Sequence, residues 1–577
     1  MKTLNEDYPL YPVQHIASLQ DLVLVGASKH ADRLALQDLS DTPIRRLTYA
    51  GLREAVLRFA RALRRLGLDE RDHIAVIGEN RVQWVVAYLA AHAGNFVVVP
   101  IDKSLSENEI VTVLHASDAR AVVFSEHFRS TIVSSAYTAK NLDVLVDMDA
   151  PAAQGKVHSM AELVARETDP VTNDDLPEVD PDAPAVISFT SGSMGRAKGV
   201  VLSQRNVASN LMDMLAMIEL TPEDRFLSVL PIHHLYECTC GVLCPLLAGA
   251  SVSFARNLKT VVEDLQTVHA TVLLGVPLLY EKMFRRIAAA INESKVASRL
   301  IPPMRALAAA GETVGLGGLR KTLFRSIHER LGGAIRILVV GGAAPDPEVA
   351  RGMRSFGFQF VQGYGLTETS PIVALNRLRK LRDDAAGIPL PSVKVRIVDP
   401  DGDGIGEIAV QGPSVMLGYY KMEEATNKVL RDGWFFTGDL GRFDADGFLH
   451  VSGRKKNVIV ASNGKNVFPE ELEDRVNAIP VVLESVVYGA KTANGSEEIR
   501  VMVVPDAEEF LRLANGDSRE TTRDWIEQVI DEEIRALNRK LPLYKQIRRV
   551  EVKEHEFEKT TTHKIKRYLV HQEESTH

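Results

Sequence analysis

Short, largely apolar runs alternate with long amphipathic patterns through the first two-thirds of the chain, and few folds can bury such runs. Ile74 to Ile77, Ala121 to Phe124, Thr271 to Leu274 and Ile335 to Val340 are too short for helices and too apolar for strands with one wet face. Between them, stretches such as Tyr49 to Leu66 and Ser203 to Ile218 repeat apolar residues at helical spacing. Strands buried on both faces and separated by helices predict a layered α/β fold with mostly parallel sheets. The chain has 577 residues, 45% of them hydrophobic, more than one compact core accommodates.

Two changes of texture divide the rest. From about residue 390 the strands shorten and turns tighten, as in Val393 to Val398 and Glu407 to Val410, predicting a small β-rich subdomain. At Gly453-Arg454-Lys455-Lys456-Asn457 the pattern changes again to strand, helix, strand, strand, helix, strand, enough for an independent α+β domain. The expected division is therefore 1–453, with the β-rich part at about 390–453, followed by 454–577. The acidic, proline-containing stretch Thr168 to Asp182 reads as a linker inside the large region.

Composition excludes several classes. A net charge of −8 argues against nucleic acid as the main partner. Met1 to Tyr8 shows no basic region leading into an apolar one, and no apolar run approaches the about eighteen residues of a membrane span. The expected location is cytoplasmic, with peripheral membrane contact and a homodimer left open. The three cysteines rule out a disulfide scaffold. Cys238, Cys240 and Cys244 follow His233 and His234 closely enough to invite a zinc or copper reading. Their neighbours, Gly241 to Leu247, offer a metal no polar support, so we expect buried structural thiols on an apolar helix.

The most informative stretch is Ile187-Ser188-Phe189-Thr190-Ser191-Gly192-Ser193-Met194-Gly195-Arg196-Ala197-Lys198-Gly199-Val200. A buried strand runs into glycines and hydroxyls, then a lysine, then another strand. Glycines let backbone N–H groups face phosphate oxygens, hydroxyls add donors, and the lysine adds charge. The common P-loop instead places its lysine before Ser or Thr and a helix. Two other glycine-rich signals fail: Asp399 to Gly404 begins like an EF-hand loop but has Val410 at the twelfth position, and Gly402-x-Gly404-x-Gly406 has the wrong spacing for a dinucleotide site.

This segment resembles the phosphate-binding signature of the adenylate-forming (AMP-binding) superfamily of acyl- and aryl-CoA synthetases, luciferases and peptide-synthetase adenylation domains. Further matches follow in the family's order: Gly341-Gly342-Ala343-Ala344-Pro345, Gln362-Gly363-Tyr364-Gly365-Leu366-Thr367-Glu368-Thr369, Trp434 to Gly441, and Gly453 to Asn457. The segment Glu558 to Arg567 resembles the terminal lysine motif, in a register that selects Lys564. Together the matches cover about residues 20 to 570.

The resemblance implies ATP, Mg²⁺ and coenzyme A as the small molecules used. Thr190, Ser191, Gly192, Ser193, Gly195 and Lys198 would hold phosphates, and Gly342, Ala343 and Ala344 would flank adenine. Gln362, Gly363, Tyr364, Gly365 and Thr367 would lie across the nucleotide. An aromatic ring at Tyr364 can stack on adenine, a hydroxyl at Thr367 can reach a phosphate, and Glu368, with Thr190, can hold Mg²⁺. Asp439, joined by Arg454, would take the ribose hydroxyls, and Lys456 would be the pivot of a mobile C-terminal domain. Lys564, with Thr367 and Glu368, would be catalytic, bridging the carboxylate and phosphate anions.

Three departures from the pattern stand out: Met194 for a usual threonine, Ala197 for a usual proline, and His563 for a usual glycine. None removes a charged or metal-binding group.

Pro231 to Glu237 resembles the long-chain fatty acid branch, where a His-x-aromatic-Glu arrangement borders the acyl channel. His234, Tyr236 and Val276 would line it. The implied activity is conversion of a medium- to long-chain fatty acid to acyl-adenylate and then to its coenzyme A thioester. The alternatives are an aryl-CoA ligase, a ligase loading an acyl carrier protein, and a catalytically idle nucleotide or acyl-adenylate sensor. No phosphopantetheine site follows residue 570, so no appended carrier domain is expected. Retention of Lys198, Glu368, Asp439 and Lys564 together argues against the sensor.

Overall fold

The apolar runs become the central strands of two large sheets in a computed structural model describing residues 9–136, 141–190, 197–293, 295–313, 319–460, 465–491, 497–514, 522–559, 565–567 and 569–570. One sheet has eight strands, ordered Gly418–Tyr419, Lys198–Ser203, Pro184–Thr190, Val97–Pro100, His73–Ile77, Ala121–Phe124, Val144–Asp147, Val157–Ser159. Its interior ladders are parallel; the hairpin of Pro184–Thr190 with Lys198–Ser203 is antiparallel. The other has nine strands. Its parallel centre runs through Gln359–Gly365, Ile337–Val340, Val272–Gly275, Arg225–Ser228, Ser251–Phe254 and Leu34–Asp38, with antiparallel strands at both edges.

Local chemistry places the helices between these strands. Tyr49–Arg65 opens on Thr48, whose hydroxyl accepts from the Gly51 N–H, and it buries Val56, Phe59 and Leu63. Gln204–Met217 opens on a Ser203–Asn206 capping box. Val82–Ala93 is apolar on every side, and all twelve of its residues are buried. Each sheet carries its own core, one around Phe124, Val99 and Ile132, the other around Leu273, Tyr280 and Phe356.

The expected apolar helix from Cys238 differs in kind. It begins at Tyr236 and runs as a π-helix to Leu243 before a short α-helical turn, Cys244–Leu247. Pro245, with no N–H to donate, stands where the π-helix gives way to the α segment. Cys238, Cys240 and Cys244 are all buried, and burial pushes the Cys238 and Cys244 thiols up to about 12.

The chain packs as two compact units, residues 1–394 with 410–435, and 395–409 with 436–577. In the second, Val482–Lys491, Glu497–Pro505 and Arg549–Val552 form a three-stranded sheet covered by helices Pro469–Asn477 and Arg523–Asn538. Trp434–Phe443 and Leu449–Arg454 pair antiparallel beside Gly406–Gln411 and Lys394–Val398. The EF-hand look-alike is a turn closed on itself, in which Asp401 Oδ1 accepts from the Asp403 and Ile405 N–H groups. Among the described residues no helix is long and apolar enough to cross a membrane.

Candidate active site

In the first unit the phosphate-loop hairpin is held by the ladder pair Thr190 and Lys198, and the Thr190 hydroxyl donates to the Lys198 carbonyl at 3.4 Å. Ser191, Gly192, Ser193 and Gly195, together with Met194, lie outside the described residues. Lys198 and Glu368 meet through a residue that the motifs do not contain. The Lys198 Nζ stands 4.5 Å from the ring centre of Tyr419, whose hydroxyl donates to Glu368 Oε1 at 2.9 Å. Tyr419 reaches this place because Gly418–Tyr419 adds an edge strand to Lys198–Ser203. The Glu368 carbonyl, in turn, accepts from Met416 N at 2.9 Å. The only sequence signal for Tyr419 was an aromatic pair after a glycine, too common to single out.

Glu368 sits in the tight turn Thr367–Thr369, which follows the strand Gln359–Gly365. Thr369 closes that turn by accepting from Leu366 N. Gly365 has to be glycine, because a Cβ there would lie 2.0 Å from the Pro371 carbonyl oxygen. Gln362 is fixed by donating to the Ala385 carbonyl at 2.5 Å, and Gly363 and Tyr364 pair with Leu375 and Ala374. Tyr364 and Thr367 are half-buried.

The residues expected at the acyl channel and beside adenine lie near one another just past the strand Ile337–Val340. Gly342 turns the chain at φ +85°, Val276 lies next to it, and Ala343 and Ala344 are exposed in that loop. Tyr236 packs against Gly341 and donates to the Val339 carbonyl at 3.3 Å. His234 is half-buried one turn earlier. A crevice beyond the carboxyl ends of parallel strands is where open α/β sheets bind ligands.

Glu237 is the residue whose character the sequence did not disclose. It is 1% exposed, and among the described residues no well-aligned hydrogen bond reaches either carboxylate oxygen. Desolvation pushes its carboxyl up to about 8, against the tempering effect of Ser228 and the Val229 N–H nearby. Glu237 is therefore a neutral acid at pH 7.

In the second unit Asp439 and Arg454 face each other across the ladder, with Arg454 Nε 2.6 Å from Asp439 Oδ1. Asp439 is 5% exposed and its N–H donates to the Thr437 hydroxyl. Lys456 lies exposed in the short turn Lys455–Asn457, between two anchors: Lys455 pairs with Glu407 at 2.8 Å and Asn457 donates to Glu470 at 2.7 Å. Lys564 lies outside the described residues. Its flanks are tied down by the bridge between Lys559 and Ile565, the Lys559–Glu484 pair at 2.7 Å, and Arg567 on Glu473.

The model of AMP-binding enzymes matches residues 25–420, and that of the AMP-binding enzyme C-terminal domain matches 456–573. The chain belongs to the AMP-binding enzyme family. Among its relatives, the long-chain-fatty-acid–CoA ligase FadD15 of Mycobacterium bovis is 30% identical over 510 residues, covering 84% of this chain and 82% of the relative. Indoleacetate–CoA ligase of Aromatoleum aromaticum is 31% identical over 490 residues, covering 82% and 87%. The crystal structure of ATP-bound MatB from Rhodopseudomonas palustris superposes with a TM-score of 0.75 at 25% identity, over 96% of this chain and 98% of that one.

This AMP-binding enzyme is thus an adenylate-forming acid–coenzyme A ligase using ATP, Mg²⁺ and coenzyme A. The Glu368 carboxylate and the hydroxyls of Thr190 and Thr367 are hard oxygen donors, the chemistry Mg²⁺ takes.

Proposed function

We propose that the acid is a medium- to long-chain fatty acid, activated as its adenylate and transferred to coenzyme A. What supports this is the character of the residues expected along the acyl channel: Tyr236, Val276 and the buried, largely apolar run Cys238 to Leu247, beside Glu237, an acid held neutral. Such a wall gains from each methylene it covers and offers no cation of its own for a second carboxylate. The name of the FadD15 relative agrees.

In this reading the first half-reaction joins a carboxylate oxygen to the α-phosphorus of ATP and releases pyrophosphate. Lys198 supplies positive charge to the phosphates, Tyr364 stacks on adenine, and the buried Asp439, oriented by Arg454, accepts from the ribose hydroxyls. Glu368, with Thr190, would hold Mg²⁺, which would supply charge to neutralise the phosphates. Tyr419 keeps Glu368 and Lys198 in register. Lys564 bridges the two anions as they approach, the largest electrostatic obstacle in the step. In the second half the coenzyme A sulfur attacks the acyl carbonyl and AMP leaves. Because Lys564 lies beyond Lys456, rotation at that pivot withdraws it before the thiol enters.

Pyrophosphate release across a panel of acids, with and without coenzyme A, tests the reading. Each methylene buried is worth about 0.8 kcal/mol, so kcat/KM should climb about fourfold per added CH₂ until the channel is full. The competing reading, an aryl acid, draws support from the indoleacetate–CoA ligase relative. Preference for benzoate, indoleacetate or acetate over long alkyl acids would decide for it or against both.

A further inference from the structure

His233 and His234 are consecutive, and in a strand their rings would point to opposite faces. Here they stand in the turn that leads into the π-helix, where His234 N donates to the Pro231 carbonyl. Both rings therefore lie on one side, with centroids 4.1 Å apart at 46°. A third group meets them from the other sheet: Asp102, just past the strand Val97–Pro100. One donor atom from each of the three residues lies within 4.8 Å of the other two.

Three features make this more than a chance cluster. His233 is 7% exposed, and among the described residues its Nε2 makes no well-aligned hydrogen bond, although it lies in ion-pair range of Asp102 Oδ2 at 3.3 Å. A buried ring nitrogen beside a carboxylate with no aligned hydrogen bond between them is an arrangement that an ion completes. Asp102 is pre-oriented, because its other oxygen accepts from the Ser104 N–H at 2.8 Å, the kind of outer support that fixes a metal ligand. The set shares no residue with Lys198, Tyr419 and Glu368, and its chemistry differs from theirs.

We propose that Asp102, His233 and His234 form a site for a borderline transition dication such as Zn²⁺, Co²⁺ or Ni²⁺, distinct from the Mg²⁺ position at Glu368. Two imidazoles and one carboxylate select such ions over Mg²⁺, which keeps to oxygen. Tetrahedral ligands about 2.0–2.1 Å from an ion lie about 3.4 Å from one another, so the widest of the three donors has to swing inward. His234, half-buried, is the side chain with room to turn.

The consequence for catalysis rests on the placing of His234 at the acyl channel. An ion that captures the His234 ring takes it from the channel wall, so the site is inhibitory, and occupancy should raise the KM for the acid more than that for ATP.

Binding and inhibition are measured separately on the full chain after treatment with a chelator. Titration with CoCl₂ should give visible d–d absorption that saturates at one ion per chain, and ZnCl₂ should raise the unfolding midpoint. Asp102→Asn, nearly isosteric, and His233→Gln should each weaken the ion at least by the about 10–100-fold that losing even an outer-shell partner costs. Two variants are used so that one failure to fold leaves the other to decide. Absence of the Co²⁺ bands, or unchanged affinity in the variant that folds, overturns the proposal. Saturable binding lost in the variants sustains it whatever happens to turnover. Binding without inhibition would instead remove His234 from the acyl channel.

Discussion

Replacing Glu237 by glutamine tests whether the buried acid of the π-helix is neutral. The carboxyl rests against the bare Cα of Gly241, where a Cβ would come within 2.9 Å of Glu237 Cδ, and it is sealed from solvent. Burial raises it from its ordinary 4.5 to about 8. The folded chain therefore keeps a proton that the unfolded chain releases above pH 4.5, and stability falls as pH rises through this window. The loss is about 1.36 kcal/mol per pH unit, reaching about 3 kcal/mol at pH 7 and levelling off above pH 8.

Glutamine is neutral at every pH, so whatever its amide gains or loses in the site is constant. The difference in unfolding free energy between Glu237→Gln and wild type should thus grow by about 3 kcal/mol from pH 5 to pH 8 in favour of the variant. Urea unfolding followed by fluorescence, to which the buried Trp84 of the same unit contributes, gives the two curves at each pH. A stability gap that stays flat with pH, or moves the other way, would falsify the neutral-acid assignment.

Other outcomes follow from single contacts. Tyr419→Phe keeps the ring under Lys198 but removes the donor to Glu368, a bond to a charged group worth about 1.5–3 kcal/mol, so adenylation should slow about tenfold or more and need more Mg²⁺; an unchanged Mg²⁺ titration would place Tyr419 outside the site. Asp439→Asn leaves Arg454 facing an amide, and it should raise the KM for ATP at least tenfold with little change for the acid, as initial rates would show. Lys564→Ala should cut acyl-adenylate formation by about 10²–10³. The same variant, given synthetic acyl-adenylate and coenzyme A, should make thioester at near the wild-type rate; equal damage to both halves would refute the alternation of this lysine.

Much of the fold was legible because buried strands are written locally. Ala121–Phe124 is a run of four apolar residues and is a strand over those same four. Thr48 and Ser203 announce the helices they cap. Glycine positions were legible for a similar reason: Gly365 and Gly342 answer to backbone geometry within a few residues. The π-helix was not legible, since its apolar residues suit an α-helix equally well and only the added residue per turn distinguishes them.

Neighbours along the chain carried the alternation of strands and helices, the order of the nucleotide-binding motifs and the apolar character of Cys238 to Leu247. Tertiary structure decided which distant side chains share a charge. Tyr419 joins Lys198 to Glu368 because an edge strand some two hundred residues downstream of the phosphate loop pairs with it. Glu237 is neutral because the fold removes its water, and Asp102 faces His233 because two sheets bring their strand ends together. Desolvation and long-range pairing depend on what surrounds a residue in space, and the linear sequence does not write that beside it.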